Sequence, residues 1–463
     1  MDKLSRRRLL RTLSGGALVA GGRALGGLAA AAVGGCSGFG GDRSYTAPIL
    51  SSDNDSVVFE WTDIMLQAAR DLSLSPLQAS RGFAMAHLAG GIATNRDLKS
   101  PVAQIEPSGD IEPAVAYGVA FSHALEEAWQ VSLAHSRRRF LNRYHDMKHK
   151  DQSIKWGKVA ANAVIRRRTR DGAEPSKSDF YPPAYPKRKD NMAWSPTGPL
   201  YGATSGPAFE TFRRGISPGW GRQKPWVIDS VIRYQADPFP DYRSNEFLQQ
   251  FKKVLEFGGS DSERRTREQS EIALFWEDGP RGVTLPGHFQ LIAIDIIQSR
   301  PWSLSQQARF FAVLSMAQAD AAIVAWHNKY LFDIVRPETA IRFAHRRFPG
   351  FAGLSQQSDW RSYVPTPAFP TYVSGHSVFG AASAGAMSLM LGSDRINVTG
   401  IAPDLTNWPV QLSGLSRTWT SLNALAEENG ASREYGGVHW ESDNLQGLKL
   451  GYEIGQTAVN NTY

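Results

Sequence analysis

The chain has 463 residues, 42% of them hydrophobic and 21% charged, a composition typical of a globular protein with a large core. This length allows one large domain or two to three smaller ones. The formal net charge is +7, but residues 1–35 contribute +5, because they hold six Lys or Arg residues against Asp2 alone. Because the remaining chain is nearly neutral overall, its net charge does not indicate nucleic-acid binding.

Residues 1–36 have the pattern of a twin-arginine export signal with a lipobox-like end. The sequence Ser5–Leu10 (SRRRLL) precedes a mildly apolar Gly/Ala-rich stretch. Cys36, the only cysteine of the chain, follows Val33-Gly34-Gly35, so we expect it to be acylated and no intramolecular disulfide to form. Cleavage among the alanines, releasing a soluble protein, is the alternative. The expected location is periplasmic or at the cell surface, with a lipid anchor to the membrane if Cys36 is acylated.

The body of the chain is predicted to be helical. Residues 37–56 form a polar linker, and residues 57–463 form a helical domain with an N-terminal half at about 57–290 and a site-bearing half at about 300–463. Pro and Gly are frequent from residue 182 to 240, which predicts a long irregular segment of the kind that often forms binding walls. No long run alternates as a strand would. We therefore expect an all-α fold of two packed helical bundles, with the active site in the C-terminal one.

One helix of the second half has clear limits. Ser303 and Gln306 have the spacing of a capping box, which predicts a helix that begins there and ends near Phe332. Lys329 would lie near the end of this helix, and Arg336 just past it.

Three short stretches carry the candidate chemistry: Lys329–Pro337 (KYLFDIVRP), Ser374-Gly375-His376, and Arg433–His439 (REYGGVH). They supply one ammonium, two guanidiniums, a hydroxyl and two imidazoles, and Arg and Lys are the usual partners of oxyanions. The small-residue run Gly380–Ala386 predicts a helix directly after Ser-Gly-His, whose N-terminal N–H groups would face an anion. Two imidazoles can act as nucleophile or ligand and as general acid/base. The sequence therefore predicts an oxyanion site.

The order and spacing of these motifs resemble the superfamily of vanadium-dependent haloperoxidases and type 2 phosphatidic-acid phosphatases. The pattern is Lys-x6-Arg-Pro, then Ser-Gly-His, then Arg-x5-His, and all three spacings match. Arg265–Gly279 and Ala308–Trp326 also look like bacterial soluble haloperoxidase-like proteins. The resemblance covers roughly residues 150–460. Each motif alone is common by chance, but three in register form a specific pattern.

The resemblance implies a vanadate cofactor with His439 as its axial ligand. The groups it places around the oxygens are Lys329, Arg336, Ser374, Gly375 and Arg433, while His376 handles a proton of hydrogen peroxide. The substrates would be hydrogen peroxide and a halide. In the phosphatase alternative there is no vanadate: His439 attacks a phosphate ester to give a phosphohistidine, and His376 protonates the leaving alcohol. A third alternative is an oxyanion-binding protein without turnover.

Two aromatic residues favour the haloperoxidase alternative. Trp326 and Phe369 stand where the similar chloroperoxidases keep a Trp and a Phe beside the halide, although plain core packing would explain them equally well. Val335 and Val373 depart from the residues often found beside Arg-Pro and Ser-Gly-His, which leaves the pocket geometry open. The lipid phosphatases usually have several membrane spans, and no segment of this chain after residue 36 has the pattern of one. The sequence leaves the halide, the organic acceptor and the oligomeric state undetermined.

Two further clusters of charged residues are not interpreted as functional sites. His145 and His149 have the spacing of helix-borne metal ligands, but Lys148 and Lys150 surround them with positive charge, so a solvated basic helix face is expected. The pair Glu427-Glu428 has no partner that would indicate glycosidase chemistry and is interpreted as surface charge.

Overall fold

The computed structural model describes residues 56–94, 98, 105–173, 188–197, 215–279, 282–351, 353–402 and 415–462. The predicted export signal, Cys36 and nearly all of the predicted linker lie outside these residues. In the described part, fourteen α-helices and one two-stranded antiparallel hairpin are present. The all-α fold predicted from the sequence is confirmed.

The helices and strands follow one another along the chain in this order: α1 Val57–Asp71, α2 Pro76–Thr94, α3 Pro113–Trp129, α4 Ala134–Asn142, α5 Lys150–Arg168, α6 Asn245–Phe257, α7 Arg267–Phe275, α8 Thr284–Ile297, α9 Leu304–Phe332, α10 Pro337–Arg342, α11 Ala344–Arg347, α12 Gly375–Leu391, β1 Arg395–Ile401, β2 Ser416–Ser421, α13 Leu422–Tyr435 and α14 Glu441–Thr462. Two short 3₁₀ turns, Trp220–Arg222 and Val231–Tyr234, lie in the segment predicted to be irregular.

Helices α2, α3 and α5 pack side by side in the N-terminal group, and α1 lies against α3. Small residues allow the helices to approach closely. At Gly157 of α5, an added Cβ would lie 2.6 Å from the carbonyl oxygen of Ala116 on α3, so no larger residue fits there without movement.

Helix α9 is the central element of the fold. It begins at the predicted capping box, in which the Ser303 side chain and the Gln306 backbone pair as expected, and it ends at Phe332 before Asp333 in the left-handed conformation. One side packs on α2, and another packs on α12 and α14. Of the described helices, α9 alone is long and apolar enough to cross a membrane, and 94% of its most apolar window is buried inside the protein.

A carboxylate in the middle of α9 fixes part of the irregular segment. Asp320 accepts hydrogen bonds from the backbone N–H groups of Trp226, Val227 and Ile228, at 2.7, 2.8 and 3.0 Å. Burial raises the pKa of Asp320 to about 6, and the three N–H groups oppose that rise.

The C-terminal group consists of α12, α13 and α14, and α12 and α14 make the most extensive helix contact. Gly451 permits it, because a Cβ there would lie 2.5 Å from the carbonyl oxygen of Val378. This close packing brings the start of α12 near the start of α14. The end of α9, the start of α10 and the last turn of α13 meet at the same place. The predicted anion-binding and catalytic residues lie on or beside these ends: Lys329, Arg336, Ser374, Gly375, His376, Arg433 and His439.

Candidate active site

His439 lies two residues before α14 and is almost fully buried. Its Nδ1 is 2.8 Å from Asp443 Oδ2 and 3.1 Å from Thr371 Oγ1, which assigns the ring proton to Nδ1. Burial, reinforced by the charge of Arg336, holds the pKa of His439 well below its usual value. The ring is therefore neutral, and Nε2 carries the lone pair that a ligand or a nucleophile requires, which accepts a hydrogen bond from Arg336 in this structure.

Arg336 is the N-cap residue of α10 and is fully buried. Its Nε donates to the Phe369 carbonyl at 2.9 Å, and its Nη1 donates to the Val438 carbonyl at 2.8 Å and to His439 Nε2 at 3.1 Å. Nη2 is buried and has no hydrogen-bond partner among the described residues. Burial lowers the pKa of Arg336 to about 9. A buried guanidinium nitrogen without an acceptor is costly, so this edge favours a bound anion.

Arg433 and His376 are held by one backbone oxygen. The carbonyl of Trp276 lies 2.9 Å from His376 Nε2 and 3.3 Å from Arg433 Nη1. Burial lowers the pKa of both side chains, and the charge of Arg433 lowers that of His376 further. With Nε2 donating to a carbonyl, the neutral ring of His376 carries its lone pair on Nδ1. Arg433 Nε, like Arg336 Nη2, is buried without a partner in the described part of the chain.

Lys329 contacts a loop rather than presenting an open donor. Its Nζ donates to the carbonyls of Pro370, Thr371 and Val373, at 3.3, 2.9 and 2.5 Å. Burial, then the charge of Arg336, lowers the pKa of Lys329 well below its usual value. Its charge lies at the site, but an anion would have to displace one of these carbonyls to contact the ammonium directly.

The start of α12 forms the open side of the cluster. Ser374 is its N-cap and accepts from the N–H of Ser377 at 3.3 Å, while the Ser374 N–H donates to the Asp443 carbonyl at 2.9 Å. An added Cβ at Gly375 would have only the Trp326 ring within 4 Å, at 3.8 Å. Gly375 and His376 are partly exposed between buried neighbours. The positive end of the α12 dipole therefore faces an accessible space.

Trp326 and Phe369, predicted to lie together in a pocket, are in contact. Their ring centroids are 4.9 Å apart at an interplanar angle of 51°. The guanidinium of Arg336 lies 4.8 Å and the ammonium of Lys329 5.1 Å from the Phe369 ring centroid. The aromatic pair thus forms a wall against two of the three cationic side chains. Its contacts therefore include cation–π contacts as well as apolar core packing.

Sequence reasoning missed three groups that hold the site residues in place. Asp443 accepts from His439, from the Thr371 hydroxyl and from the Trp440 N–H. Its spacing of four residues from His439 was a usable signal, because α14 begins between them. The Trp276 carbonyl gave no signal, since a backbone oxygen has no signature in a sequence.

Glu428, the third of these groups, is not the solvated surface charge expected from the sequence. Its carboxylate accepts from the indole N–H groups of Trp276 and Trp419, both at 3.1 Å, and from Arg417 at 2.6 and 2.7 Å. It joins the β-hairpin to the residue whose carbonyl holds His376 and Arg433. The reason for the difference is tertiary: β2 supplies Arg417 and Trp419, and the end of α7 supplies Trp276.

The donor set fits a tetrahedral oxyanion. Two buried guanidinium nitrogens have no partner among the described residues, the positive end of α12 adjoins them, and His439 offers a lone pair on Nε2. Across the same described ranges, no group of three or more His, Cys, Asp or Glu side chains could hold a bare metal ion. Vanadate and phosphate share the charge and shape that these donors would accept.

Comparison with known proteins agrees with this geometry. Residues 309–463 match the model of the VCPO second helical-bundle domain, and these residues include every member of the cluster described above except Trp276. This part of the chain is therefore similar to that helical-bundle domain. The resemblance expected from the sequence is thereby confirmed.

Similar proteins extend the comparison. The vanadium chloroperoxidase of Curvularia inaequalis is 28% identical over 194 residues, 37% of this chain and 32% of that protein. The match thus spans about a third of the length of this curated relative. A solved structure of the first bacterial vanadium-dependent iodoperoxidase has a TM-score of 0.67 at 24% identity, covering 88% of this chain and 96% of that one. The holo-type bacterial vanadium-dependent chloroperoxidase has a TM-score of 0.62 at 18% identity, covering 91% and 94%. These structures share the fold.

Proposed function

We propose that this protein is a vanadate-dependent haloperoxidase that uses hydrogen peroxide to oxidise a halide. The observation that carries the proposal is a pair of buried guanidinium nitrogens close to a neutral histidine, Arg336 Nη2 and Arg433 Nε, which have no hydrogen-bond partner in the described ranges. The activities for which the similar proteins are named support the same assignment. The proposed cofactor is vanadate, and the proposed partners are peroxide and halide.

The residues that would hold vanadate supply donors that have no partner in the described ranges, and a lone pair that would exchange its hydrogen bond from Arg336 for the anion. His439 Nε2 would bond to it, Arg336 Nη2 and Arg433 Nε would donate to its oxygens, and the N-terminus of α12 at Ser374 and Gly375 would complete the cradle. Bound vanadate would supply Lewis-acid activation of hydrogen peroxide without changing redox state. Lys329 would contribute its positive charge without direct contact, because its ammonium donates to the carbonyls of the loop at residues 370–373.

His376 is suited to accept a proton from peroxide. Its Nε2 is tied to the Trp276 carbonyl, so a proton would enter at Nδ1. Burial and Arg433 keep the ring neutral in the absence of an anion, because both lower its pKa. A bound oxyanion would offset the charge of Arg433 and raise the pKa of His376, which would make it a better base when the cofactor is in place.

The aromatic wall would receive the halide. Trp326 and Phe369 give a weakly hydrated surface, and the cations behind Phe369 make the local potential positive. Such a surface suits a soft monovalent anion better than it suits a strongly hydrated phosphate ester. This contrast favours halide oxidation over phosphatase activity.

A direct comparison of the two activities tests the proposal. Purified apo-protein would be assayed with and without orthovanadate, for peroxide-dependent halogenation of a phenol-type dye and for hydrolysis of a chromogenic phosphate ester. We expect halogenation that depends on both vanadate and peroxide. Brisk ester hydrolysis without halide oxidation at saturating vanadate and peroxide would assign the site to a phosphatase, with His439 as nucleophile. Absence of both activities in a protein that still binds vanadate would leave an oxyanion-binding protein.

We further propose that the protein is exported through the twin-arginine route and anchored by a lipid at Cys36. The support is the sequence of residues 1–36. Replacing both Arg6 and Arg7 with lysine should retain the protein in the cytoplasm, as measured by cell fractionation. Mass spectrometry of the mature N-terminus should find an acylated Cys36. Cleavage elsewhere without an acyl mass would contradict the lipid anchor but not the export.

A further inference from the structure

The near-neutral charge of the body conceals a strongly basic segment. Residues 134–170, which span α4 and α5, hold twelve Lys or Arg residues against two acidic ones, a balance of +10. Residues 36–463 carry +7 − 5 = +2, so the rest of that range carries +2 − 10 = −8. Such an asymmetry orients a protein in the field of an anionic surface.

Lys155, Lys158 and Arg166 of α5 and Arg170 just after it share one exposed side. Exposed positions recur every three or four residues along the helix and into the turn that follows, which places them along a single stripe. From residue 155 onward the exposed residues of this stripe are Lys155, Lys158, Val159, Asn162, Arg166, Thr169 and Arg170. None of them is acidic. The opposite side of the helix is buried against α2 and α3.

The positive charges of this stripe are not neutralised by ion pairs. Three nearby arginines are paired: Arg137 with Glu126, Arg143 with Glu60, and Arg168 with Asp171. The stripe residues Lys155, Lys158, Arg166 and Arg170, by contrast, form no ion pair within the described ranges. Glu126 and Glu127 on α3 lie at one edge, where the charge of Lys158 still reaches His123.

We propose that the α5 stripe, residues 155–170, docks on an anionic phospholipid surface. Charge complementarity selects an anionic partner, since clusters of Lys and Arg near a bilayer attract anionic head groups. Val159, 45% exposed within the stripe, adds an apolar contact of the kind that a lipid interface accepts. This argument rests on the proposed export and lipid anchor, which would hold the chain against a phospholipid surface continuously.

The position of the stripe is compatible with an anchor and with an open active site. The chain enters the described structure at Ser56, directly before α1, and α1 packs on α3, which packs on α5. The 55 preceding residues, with Cys36, therefore attach to the same bundle as the stripe. The candidate active site is built on α9, α10, α12, α13 and α14, whereas α5 packs on α2 and α3. One acyl chain binds membranes weakly, so a basic face would supply the second attachment.

Vesicle binding by the full chain carrying Cys36→Ser tests the proposal without an acyl group. We expect it to cosediment with vesicles of phosphatidylcholine and phosphatidylglycerol but not with phosphatidylcholine alone, and to be released by about 0.5 M salt. Changing Lys155, Lys158 and Arg166 together to glutamate should weaken binding at least tenfold.

A matched control separates the stripe from net charge. The full chain with Lys252→Glu, Arg264→Glu and Arg267→Glu has the same change in charge at exposed positions of another region. It should bind within about twofold of the parent, with both variants checked for unchanged thermal unfolding. Equal losses in the two variants, or no loss in the stripe variant, would overturn the proposal. Tighter binding of the stripe to an RNA oligomer than to vesicles at the same salt would also overturn it.

Discussion

His376 and Arg433 share a single acceptor, the carbonyl oxygen of Trp276, at 2.9 and 3.3 Å. One backbone atom at the end of α7 thus sets the position of the proposed proton acceptor relative to one of the two arginines with an unpartnered nitrogen. Any change that moves Trp276 is expected to act on both side chains together. The geometry of the site therefore depends on residues that would not touch a bound anion.

Removing the guanidinium of Arg336 or of Arg433 should weaken oxyanion binding. Arg336→Ala and Arg433→Ala each delete a charged donor from a buried cluster, worth about 1.5–3 kcal/mol, or roughly tenfold to a hundredfold in affinity. Calorimetric titration with orthovanadate measures the loss. Arg346→Ala, an exposed arginine on α11, is the matched control and should leave the affinity unchanged. Affinities within a few-fold of wild type in both site variants would place the anion elsewhere.

Asp443 should control the state of His439. In Asp443→Asn the negative charge behind Nδ1 is lost, so the proton is no longer held on that nitrogen and Nε2 is a poorer ligand. Vanadate affinity is expected to fall by about 10- to 100-fold, the usual effect of removing such a partner. Nitrogen NMR of the histidine rings should show a change of tautomer at His439. Unchanged tautomer and affinity would show that Thr371 alone positions the ring.

Glu428 should matter although it lies outside the cradle. Glu428→Ala leaves two indole N–H groups without their acceptor and Arg417 with Glu268 alone, and we expect a loss of about 2–4 kcal/mol in the free energy of unfolding. Vanadate affinity should fall as well, because Trp276 is no longer fixed. The neighbouring Glu427→Ala is the control, since Glu427 is exposed, and it should change stability by less than about 0.5 kcal/mol. If Glu428→Ala lowers stability but leaves vanadate affinity and the pH profile of activity intact, its role is structural only.

Acid should destabilise the N-terminal bundle through His87. This residue is fully buried on α2, stacked on Phe311 with ring centroids 5.1 Å apart, and burial lowers its pKa to about 3. The unfolded chain takes up a proton below about pH 6.5 while the folded chain does not, so stability falls as pH drops from 6.5 toward 3. His87→Phe should flatten this slope in denaturant unfolding measured across that range. An unchanged slope would mean that His87 is already protonated in the folded protein.

The sequence predicted the parts of the site that local rules determine. The position of Lys329 near a helix end follows from the capping box at Ser303, and the structure confirms it. The helix predicted directly after Ser-Gly-His is present but begins earlier, at Gly375, with Ser374 as its N-cap. It did not predict that the Lys329 ammonium contacts three carbonyls, because that depends on the path of the loop through residues 370–373. Glu428 was misjudged for a similar reason, since its partners come from a hairpin whose short strands have no clear alternation. The basic stripe was hidden because net charge was summed over the whole body.

Vanadate binding to wild type and to His439→Ala is the most direct measurement of the central claim that an oxyanion occupies the cradle beside His439. Calorimetry of the wild-type protein should show one bound vanadate per chain, displaced by phosphate in the millimolar range because the two anions would share the same donors. His439→Ala should lose nearly all of this binding, since no other lone pair replaces Nε2. Absence of vanadate binding in the wild type, binding that phosphate does not affect, or full binding in His439→Ala would contradict the assignment.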